Sequence, residues 1–347
     1  MSRRERRSTL DLKTCRITAA ALLLAAGARA TDPQDCAVQV AAFLPGLSGD
    51  NFANEALDVP LGAGLFEGSF DVATLGVGGS VTLELGNRCV DGTGTDLLVC
   101  ENPFLVGGGS TAFIEACFVE VSSDGTHFAR FPTRYGGLPG PFLPFTGNPP
   151  SWYSGFGGVH PVRTNPAAGI DPQDIVHAGG DAFDLANLAG HPEVLSGNVD
   201  LLDIAWVRLV DIDAGQAFDD AGTTIWDCGI DSISSADIDA VVALNSDANV
   251  AQGRPLVELS LDATGFLWLQ ASDPDGIKDF KNGLSASIDG TEIPFSALLP
   301  FLVLVQFDAF GFTFVTGPVP PGAFALELRV GATDTAGRFG GDALAMP

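Results

Sequence analysis

The stretch that decides the fold is CVDGTGTDLLVCENPF at residues 89–104, followed by AFIEACFVEVSSDGTHFARF at residues 112–131. Two apolar runs flank a turn rich in Asp and Gly, and a third, alternating run ends in the turn SSDG at residues 122–125. Short apolar runs separated by turns of this composition are typical of antiparallel strands. The stretch therefore predicts an antiparallel β-sheet.

The same pattern extends along the chain in both directions, and strong helical periodicity is absent. Further strands are predicted at Gly79–Gly86, Leu97–Cys100, Ile204–Ile212, Ile238–Leu244, Leu256–Leu261, Phe266–Ala271, Leu284–Ile288, Phe301–Phe307, Phe312–Val315 and Phe324–Val330. Short strands joined by Gly- and Pro-rich turns predict an all-β fold made of β-sandwiches. No cysteine follows Cys228, and a new set of strands begins after residue 249, so we expect one domain over residues 31–249 and a smaller Ig-like β-sandwich over residues 250–347.

The first 30 residues have the pattern of a secretory signal peptide. A basic segment precedes the apolar run Ile17–Gly27, and Ala28-Arg29-Ala30 is an A-x-A cleavage motif. The run is shorter than the roughly 20 residues that span a membrane. We therefore expect secretion to the cell exterior or cell surface, with no transmembrane segment in the mature chain.

The charge balance limits the class of partner. Residues 1–30 hold 7 of the 17 basic and 2 of the 43 acidic residues, so residues 31–347 carry 10 basic and 41 acidic residues, a net charge of −31. Such a charge argues against nucleic acid and anionic membranes as partners and favours an exterior rich in cations. Solubility alone is the alternative explanation.

Five cysteines follow the predicted signal peptide, at positions 36, 89, 100, 117 and 228. An oxidising compartment permits disulfides, and the odd number leaves at least one thiol outside an intramolecular pair. Cys100 and Cys117 lie in adjacent apolar runs, so they are the first pair to test. No Cys/His spacing of a zinc site is present.

Acidic turns predict a calcium site. Asp91, Asp96 and Glu101 lie within eleven residues around glycines, and a second acidic turn contributes Asp181 and Asp184. Calcium prefers six to eight oxygen ligands from carboxylates, carbonyls and water. The alternative is that these side chains cap turns by hydrogen bonds to the backbone.

The long segment between Pro132 and Asp200 is dense in Gly, Pro and aromatic residues. Long loops in compact domains often carry function. Trp152 and Tyr153 are the candidates for ligand binding, because exposed aromatic rings can stack on sugars. The alternative is that they cover the sheet as core residues.

Several segments of residues 60–245 are similar to a family of bacterial secreted and cell-surface proteins. The segments that carry the similarity are LGVGGSVTLELG, VDGTGTDLLVCENPF, FIEACFVEVSSDGTHF, AGGDAFDLANLAG, VRLVDIDAG and ADIDAVVALN, in the family's order and spacing. The chain departs from the family at Cys100, where an aromatic residue is usual, and at Ala236, where Phe is usual.

VEVSSDGTHF and VRLV also resemble strands of discoidin-type, galactose-binding-like jelly rolls. The resemblance implies a jelly-roll β-sandwich for the first domain, with a role in surface attachment or carbohydrate binding. Such modules often hold a structural calcium near their first and last strands, which adds Asp239 to the metal candidates. Residues 271–276 (ASDPDG) and 332–337 (ATDTAG) resemble Ig-like modules of bacterial surface proteins, most of which act as spacers.

Signals for catalysis are weak. The chain has four histidines and no HExxH or GxSxG motif. The sequence therefore predicts a non-catalytic protein that binds a glycan or another surface component, with structural calcium. The alternatives are an extracellular glycan-degrading enzyme with an accessory Ig-like domain and a structural surface or matrix protein.

Overall fold

The computed structural model describes residues 32–142, 146–228, 235–250, 255–261, 266–273, 277–279, 284–288, 291–293, 302–307, 311–318, 326–334 and 339–346. The predicted signal peptide at residues 1–30 lies outside these residues, as do residues 274–276 and 289–290 of the predicted turns. No helix in the described part of the chain has the length and apolar character needed to cross a membrane.

Fourteen strands are described before residue 250. They are β1 (Ala37–Leu44), β2 (Ala73–Thr74), β3 (Ser80–Cys89), β4 (Leu97–Cys100), β5 (Phe104–Val106), β6 (Thr111–Phe113), β7 (Cys117–Ser122), β8 (Ala129–Arg130), β9 (Arg134–Tyr135), β10 (Tyr153–Ser154), β11 (Asp181–Phe183), β12 (Ile204–Asp211), β13 (Asp237–Ile238) and β14 (Ala240–Ala243). The predicted long strand over residues 113–121 is instead two strands, because residues 114–116 leave the ladder between β6 and β7.

Nine strands are described after residue 250, and they include all six that the sequence predicts there. They are β15 (Leu256–Leu261), β16 (Phe266–Ser272), β17 (Ile277–Asp279), β18 (Leu284–Ile288), β19 (Thr291–Ile293), β20 (Leu302–Phe307), β21 (Gly311–Pro318), β22 (Leu326–Asp334) and β23 (Phe339–Met346). They form one sheet ordered β15-β16-β21-β20 and a second ordered β17-β22-β18-β19, with β23 paired to β22.

Helices are short throughout the described residues. Three α-helices of four residues each, α1 (Ile175–Ala178), α2 (Pro192–Leu195) and α3 (Asp247–Val250), accompany 3-10 turns at Pro33–Asp35, Ala53–Ala56, Pro150–Trp152 and Leu185–Leu188. The chain is all-β, as the sequence predicts.

Two antiparallel sheets organise the first strand set. One has five strands in the order β1-β3-β12-β7-β8, and the other has three in the order β11-β4-β14. Alternate residues of β12 are buried and half-buried, as the alternating sequence predicts. One core cluster takes its side chains from both sheets, including Val81, Leu83, Val119, Val207 and Leu209 of the first and Leu97, Val99, Val241 and Ala243 of the second.

The opposite face of the five-stranded sheet is covered over only part of its area. An aromatic cover, formed by Tyr135, Trp152, Tyr153 and Phe156, packs in one cluster with Phe118 of β7 and Val210 of β12. The Phe118 and Phe156 ring centroids are 5.8 Å apart. The loop-rich segment after Pro132 therefore supplies a second apolar layer, and the rest of this sheet face stays open.

Polar contacts join the two strand sets. The buried Arg329 of β22 donates from Nη1 to the carbonyls of Ile175 (3.1 Å) and Gly179 (3.2 Å) and from Nη2 to that of Gly180 (2.7 Å). On β23, the Asp342 carboxylate accepts from Thr95 Oγ1 at 3.1 Å. The predicted boundary near residue 249 thus separates two strand sets that are in direct contact.

All five described cysteines are free and buried, so the disulfide expectation is wrong for this structure. Cys117 belongs to the core between the two sheets, whereas Cys100 packs with Cys36 and Leu98 in a separate cluster. Burial raises the pKa of the Cys100 and Cys117 thiols well above the usual value. Cys100 lies on β4 and Cys117 on β7, which belong to different sheets, and their side chains pack in different apolar clusters.

Candidate functional site

Three of the predicted metal residues meet at one point. One ligand atom from each of Asp91, Asp96 and Asp184 lies within 4.8 Å of the others. Asp91 follows β3, Asp96 precedes β4, and Asp184 follows β11. Because β11 pairs antiparallel with β4, with Phe183 opposite Leu97, the sheet brings Asp184 beside Asp96. These three residues are the carboxylate cluster.

Asp96 is the buried centre of the cluster. Its Oδ1 accepts hydrogen bonds from Gly92 N (2.8 Å) and Asn245 Nδ2 (2.7 Å), and its Oδ2 accepts from Leu185 N (2.7 Å). Burial raises the pKa of Asp96 to about 7, although these three donors oppose the rise. The alternative, that an acidic residue caps a turn, describes Asp96, because it accepts from Gly92 N in its own turn.

Asp184 and Asp91 are more accessible. Asp184 caps the 3-10 turn that follows it, accepting from Ala186 N at 2.8 Å. Burial raises its pKa to about 6, and the negative charge of Asp91 adds to the rise. Burial also raises the pKa of Asp91. Burial thus disfavours the ionised form of all three carboxylates.

The donor set of the cluster fits a hard cation. All candidate ligand atoms are carboxylate oxygens, as calcium prefers, but three carboxylates supply at most six oxygens. The hydrogen bonds to Asp96 already use part of its capacity. Calcium bound at this cluster would therefore need backbone carbonyls or water to complete its coordination.

The structure separates Glu101 from the carboxylate cluster. Its Oε1 accepts from Asp237 N at 2.7 Å, and its Oε2 is buried without a hydrogen-bond partner in the described part of the chain. Burial raises its pKa well above the usual value, and the charge of Glu115 adds to this. Glu101 follows β4 at the end opposite Asp96, which accounts for the separation.

Asp181 and Asp239 also lie apart from the cluster and hold loops. Asp181 accepts from Val159 N at 2.9 Å, and its Oδ1 lies 2.7 Å from Nδ1 of His160. Both carboxylate oxygens of Asp239 lie 3.0 Å from Leu61 N. Burial raises the pKa of Asp239 to about 7. Asp181 and Asp239 thus each accept from a backbone N–H of a segment distant along the chain, and the two do not share a centre.

The two predicted ligand-binding aromatics lie within the aromatic cover. Tyr153 is 5% exposed, and its hydroxyl donates to the Trp226 carbonyl at 2.7 Å and accepts from Asn148 Nδ2 at 2.8 Å. A ring in this position has no face for a sugar, so Tyr153 is a core residue. Trp152 is half-buried, edge-on to Tyr135 at 6.4 Å between centroids, and its role in binding stays a prediction.

The open part of the five-stranded sheet carries a set of side chains that the sequence analysis missed. One register row crosses all five strands: Ala42 of β1 pairs with Thr82 of β3, Thr82 with Arg208 of β12, Arg208 with Glu120 of β7, and Glu120 with Arg130 of β8. We call these five residues the central row.

The central row lies in a groove with a volume of about 390 Å³, which Trp206 and Phe128 also line. This volume falls within the range of small-molecule sites, roughly 300–1,000 Å³. The alternation in IAWVRLVDI places Trp206 and Arg208 on the face opposite the core, and that was the available signal. Both side chains are half-buried there.

Comparison of the chain with protein-family models and with curated proteins finds no match.

Proposed function

We propose that this chain is a secreted or cell-surface binding protein without catalytic activity, which recognises a glycan or another surface component and uses calcium to hold its loops. The observation that carries the proposal is the groove on the open sheet face. It combines an aromatic ring, hydroxyls and charged side chains on strands of one sheet. Sites on paired strands are positioned more rigidly than sites on loops.

The chemistry of the groove supports binding rather than turnover. Glu120 forms ion pairs with Arg130 (2.7 Å) and with Arg208, and these pairs engage both of its carboxylate oxygens. The groove therefore presents guanidinium, hydroxyl and aromatic groups to a ligand.

The carboxylate cluster supports the calcium part of the proposal. Asp96 is hydrogen-bonded to Leu185 N and to Asn245, so it connects three separated segments of chain. A cation bound by Asp91, Asp96 and Asp184 would fix the loop after β3 to the turn after β11. The similarity to bacterial surface proteins, the predicted signal peptide and the acidic composition support a location outside the cell.

The calcium part is tested by thermal melts of the purified protein in EDTA and in millimolar calcium. A ligand at 100 times its dissociation constant stabilises the folded state by about 2.7 kcal/mol, so the midpoint should rise clearly. Asp91→Asn should remove most of the rise, because Asp91 is an accessible member of the cluster. Asp58→Asn is the matched control, since Asp58 is exposed, has φ of 69° and Asn tolerates that conformation.

The binding part is tested by retention on immobilised polysaccharides in calcium, with the eluate analysed for released sugars. Retention without sugar release is expected. Sugar release would favour the enzyme alternative, and self-assembly without retention on any polysaccharide would favour a structural matrix protein. An unchanged midpoint in calcium would make the carboxylate cluster a set of turn caps.

A further inference from the structure

In the central row, one buried carboxylate pairs with two half-buried cations. Glu120 accepts from Arg130 Nε at 2.8 Å on Oε1 and from Arg208 Nε on Oε2. Its side chain is 6% exposed, whereas those of Arg130 and Arg208 are 41% and 34% exposed. Each guanidinium has five N–H donors, and the pairing with Glu120 uses one or two of them. Both arginines line the groove.

Aromatic rings hold the same guanidiniums in place. The Arg208 guanidinium lies 3.9 Å from the centroid of the Phe128 ring, and that of Arg130 lies 4.0 Å from the Phe118 ring. Stacking and the ion pair together restrict both side chains, so less conformational entropy is lost when a ligand binds. The two cations are thus preorganised along one line of the sheet.

The groove differs in charge from the rest of the molecule. Arg130, Arg208 and Glu120 are the charged residues that line it, which gives a local charge of +1. Residues 31–347 carry a net charge of −31. An anionic ligand is repelled by most of this surface and attracted here, which directs it to the groove.

Trp206 adds a flat apolar surface beside the two cations. It lies on β12 two residues before Arg208, on the same face of the sheet. Gly125 lies next to the indole, and a Cβ atom there would be 3.5 Å from the ring. Gly125 has φ of 71°, so glycine permits the turn. The Arg88 guanidinium lies 5.5 Å from the centroid of the same indole ring and adds a third cation beside it. Polarised C–H groups of a sugar ring stack favourably on such a face.

We propose that the groove binds a chain of acidic sugars, with a uronate carboxylate on Arg208 and Arg130 and a sugar ring on Trp206. This inference rests on the proposed function and names its ligand class and site. Bidentate pairing with carboxylates is the contact that guanidinium favours most. Five strands about 4.8 Å apart make the central row roughly 19 Å long, enough for several linked sugars.

The test is calorimetric titration of the purified protein with oligogalacturonides too short to gel with calcium, and with neutral galacto-oligosaccharides of the same length. We expect the acidic oligosaccharides to bind at least tenfold more tightly, and the difference to shrink with added salt. Arg208→Gln should weaken acidic binding by about tenfold or more, the usual size for a lost charge-assisted contact. Arg134→Gln is the matched control, because Arg134 is exposed on β9 outside the groove.

A pair of substitutions at the exposed Ala42 keeps the test informative if Arg208→Gln fails to fold. Ala42→Glu adds a carboxylate at the end of the central row and should weaken acidic binding by about threefold, as for an exposed charge contact. Ala42→Lys at the same position should not weaken it. Trp206→Ala should weaken binding of the acidic ligand, whereas Trp152→Ala should not.

The outcomes distinguish a failure of the acidic-sugar inference from a failure of the proposed binding function. Equal binding of acidic and neutral sugars, with no effect of the Ala42 pair, would overturn the acidic ligand class and leave glycan binding intact. Loss of binding in Trp152→Ala but not in Trp206→Ala would overturn the location. Equal binding of polyglutamate in competition would overturn the sugar as ligand. Binding of no oligosaccharide would overturn the glycan part of the proposed function as well.

Discussion

The two faces of the five-stranded sheet are made by the same strands and have opposite chemistry. On the inner face, Val207 and Leu209 of β12 are fully buried in the core shared with the three-stranded sheet. On the outer face, Trp206, Arg208 and Val210 are half-buried and line a groove, and Val210 also packs with the aromatic cover. Consecutive residues of β12 therefore alternate between the buried core and the groove.

The difference shows how an all-β chain keeps a sheet face open without exposing a large apolar surface. The outer face is closed at one end by aromatic side chains, and its open end is occupied by the central row, where charges satisfy one another. Glu120 is buried while Arg130 and Arg208 are half-buried, so the row joins a buried carboxylate to side chains that reach the groove. Stability and recognition can then be tested separately on the two faces.

The largest expected loss of stability comes from a substitution on the inner face. Leu209→Ala should lower the free energy of unfolding by about 3 kcal/mol, because it removes a fully buried side chain and leaves a cavity. Val210→Ala on the outer face is the matched control and should cost about 1 kcal/mol, because Val210 is half-buried. Urea unfolding of both variants measures the difference. Equal losses would mean that the two faces contribute alike to the core.

The next largest loss of stability is expected for Glu120, which is buried on the outer face between two arginines. Glu120→Ala should cost about 2 kcal/mol, since it leaves two guanidiniums close together without their acceptor. Adding Arg130→Ala to that variant should recover part of the loss. The double-mutant cycle gives the coupling energy. A coupling near zero would show that the two side chains act independently.

Acid pH should test the buried carboxylates whose pKa is raised by burial. Burial raises the pKa of Asp96 and of Asp211 to about 7, as it does for Asp239. The folded protein thus binds protons more strongly than the unfolded chain, so these groups favour folding at acid pH and this contribution is lost as pH rises through about 7. In EDTA, the urea midpoint should be higher at pH 5.5 than at pH 8.

Two comparisons isolate the contribution of the carboxylate cluster to that pH dependence. Asp96→Asn should reduce the gain on acidification, while Asp58→Asn should leave it unchanged and so controls for the lower net charge. Calcium should stabilise the protein more at pH 8 than at pH 5.5, since it binds the deprotonated cluster. A midpoint in EDTA that is higher at pH 8 would contradict the proposed origin of the effect.

The smallest effect on stability is expected for Trp206→Ala, within about 1 kcal/mol, because the indole lies over the open face and outside the core. The same change should have a large effect on binding of acidic oligosaccharides. A melt and a titration of one preparation make this comparison. A large loss of stability would assign Trp206 to packing and weaken the separation between the two faces.

The local sequence pattern was sufficient to predict the strands and part of the carboxylate cluster. Alternation located β12, and the apolar run located β4 with its observed bounds, because both patterns depend only on neighbouring residues. Asp91 and Asp96 were predicted from one turn. Their meeting with Asp184 depended on the pairing of β11 with β4, which the sequence leaves open.

Features that depend on register or on the direction of a side chain escaped the sequence analysis. The central row requires the correct alignment of five strands that are distant along the chain. The aromatic residues were assigned to binding by type, and burial in the aromatic cover excludes Tyr153 from that role. The disulfide expectation failed for the same reason, because adjacent apolar runs placed Cys100 and Cys117 in different layers.

The position of Arg329 bears on how the whole chain unfolds. Its guanidinium is buried against the carbonyls of Ile175, Gly179 and Gly180, so pulling β22 away would leave a charge and three acceptors without partners at once. Modules joined only by a linker melt independently, each with its own transition. Here the second strand set is expected to melt together with the first, in a single cooperative transition whose calorimetric and van't Hoff enthalpies agree.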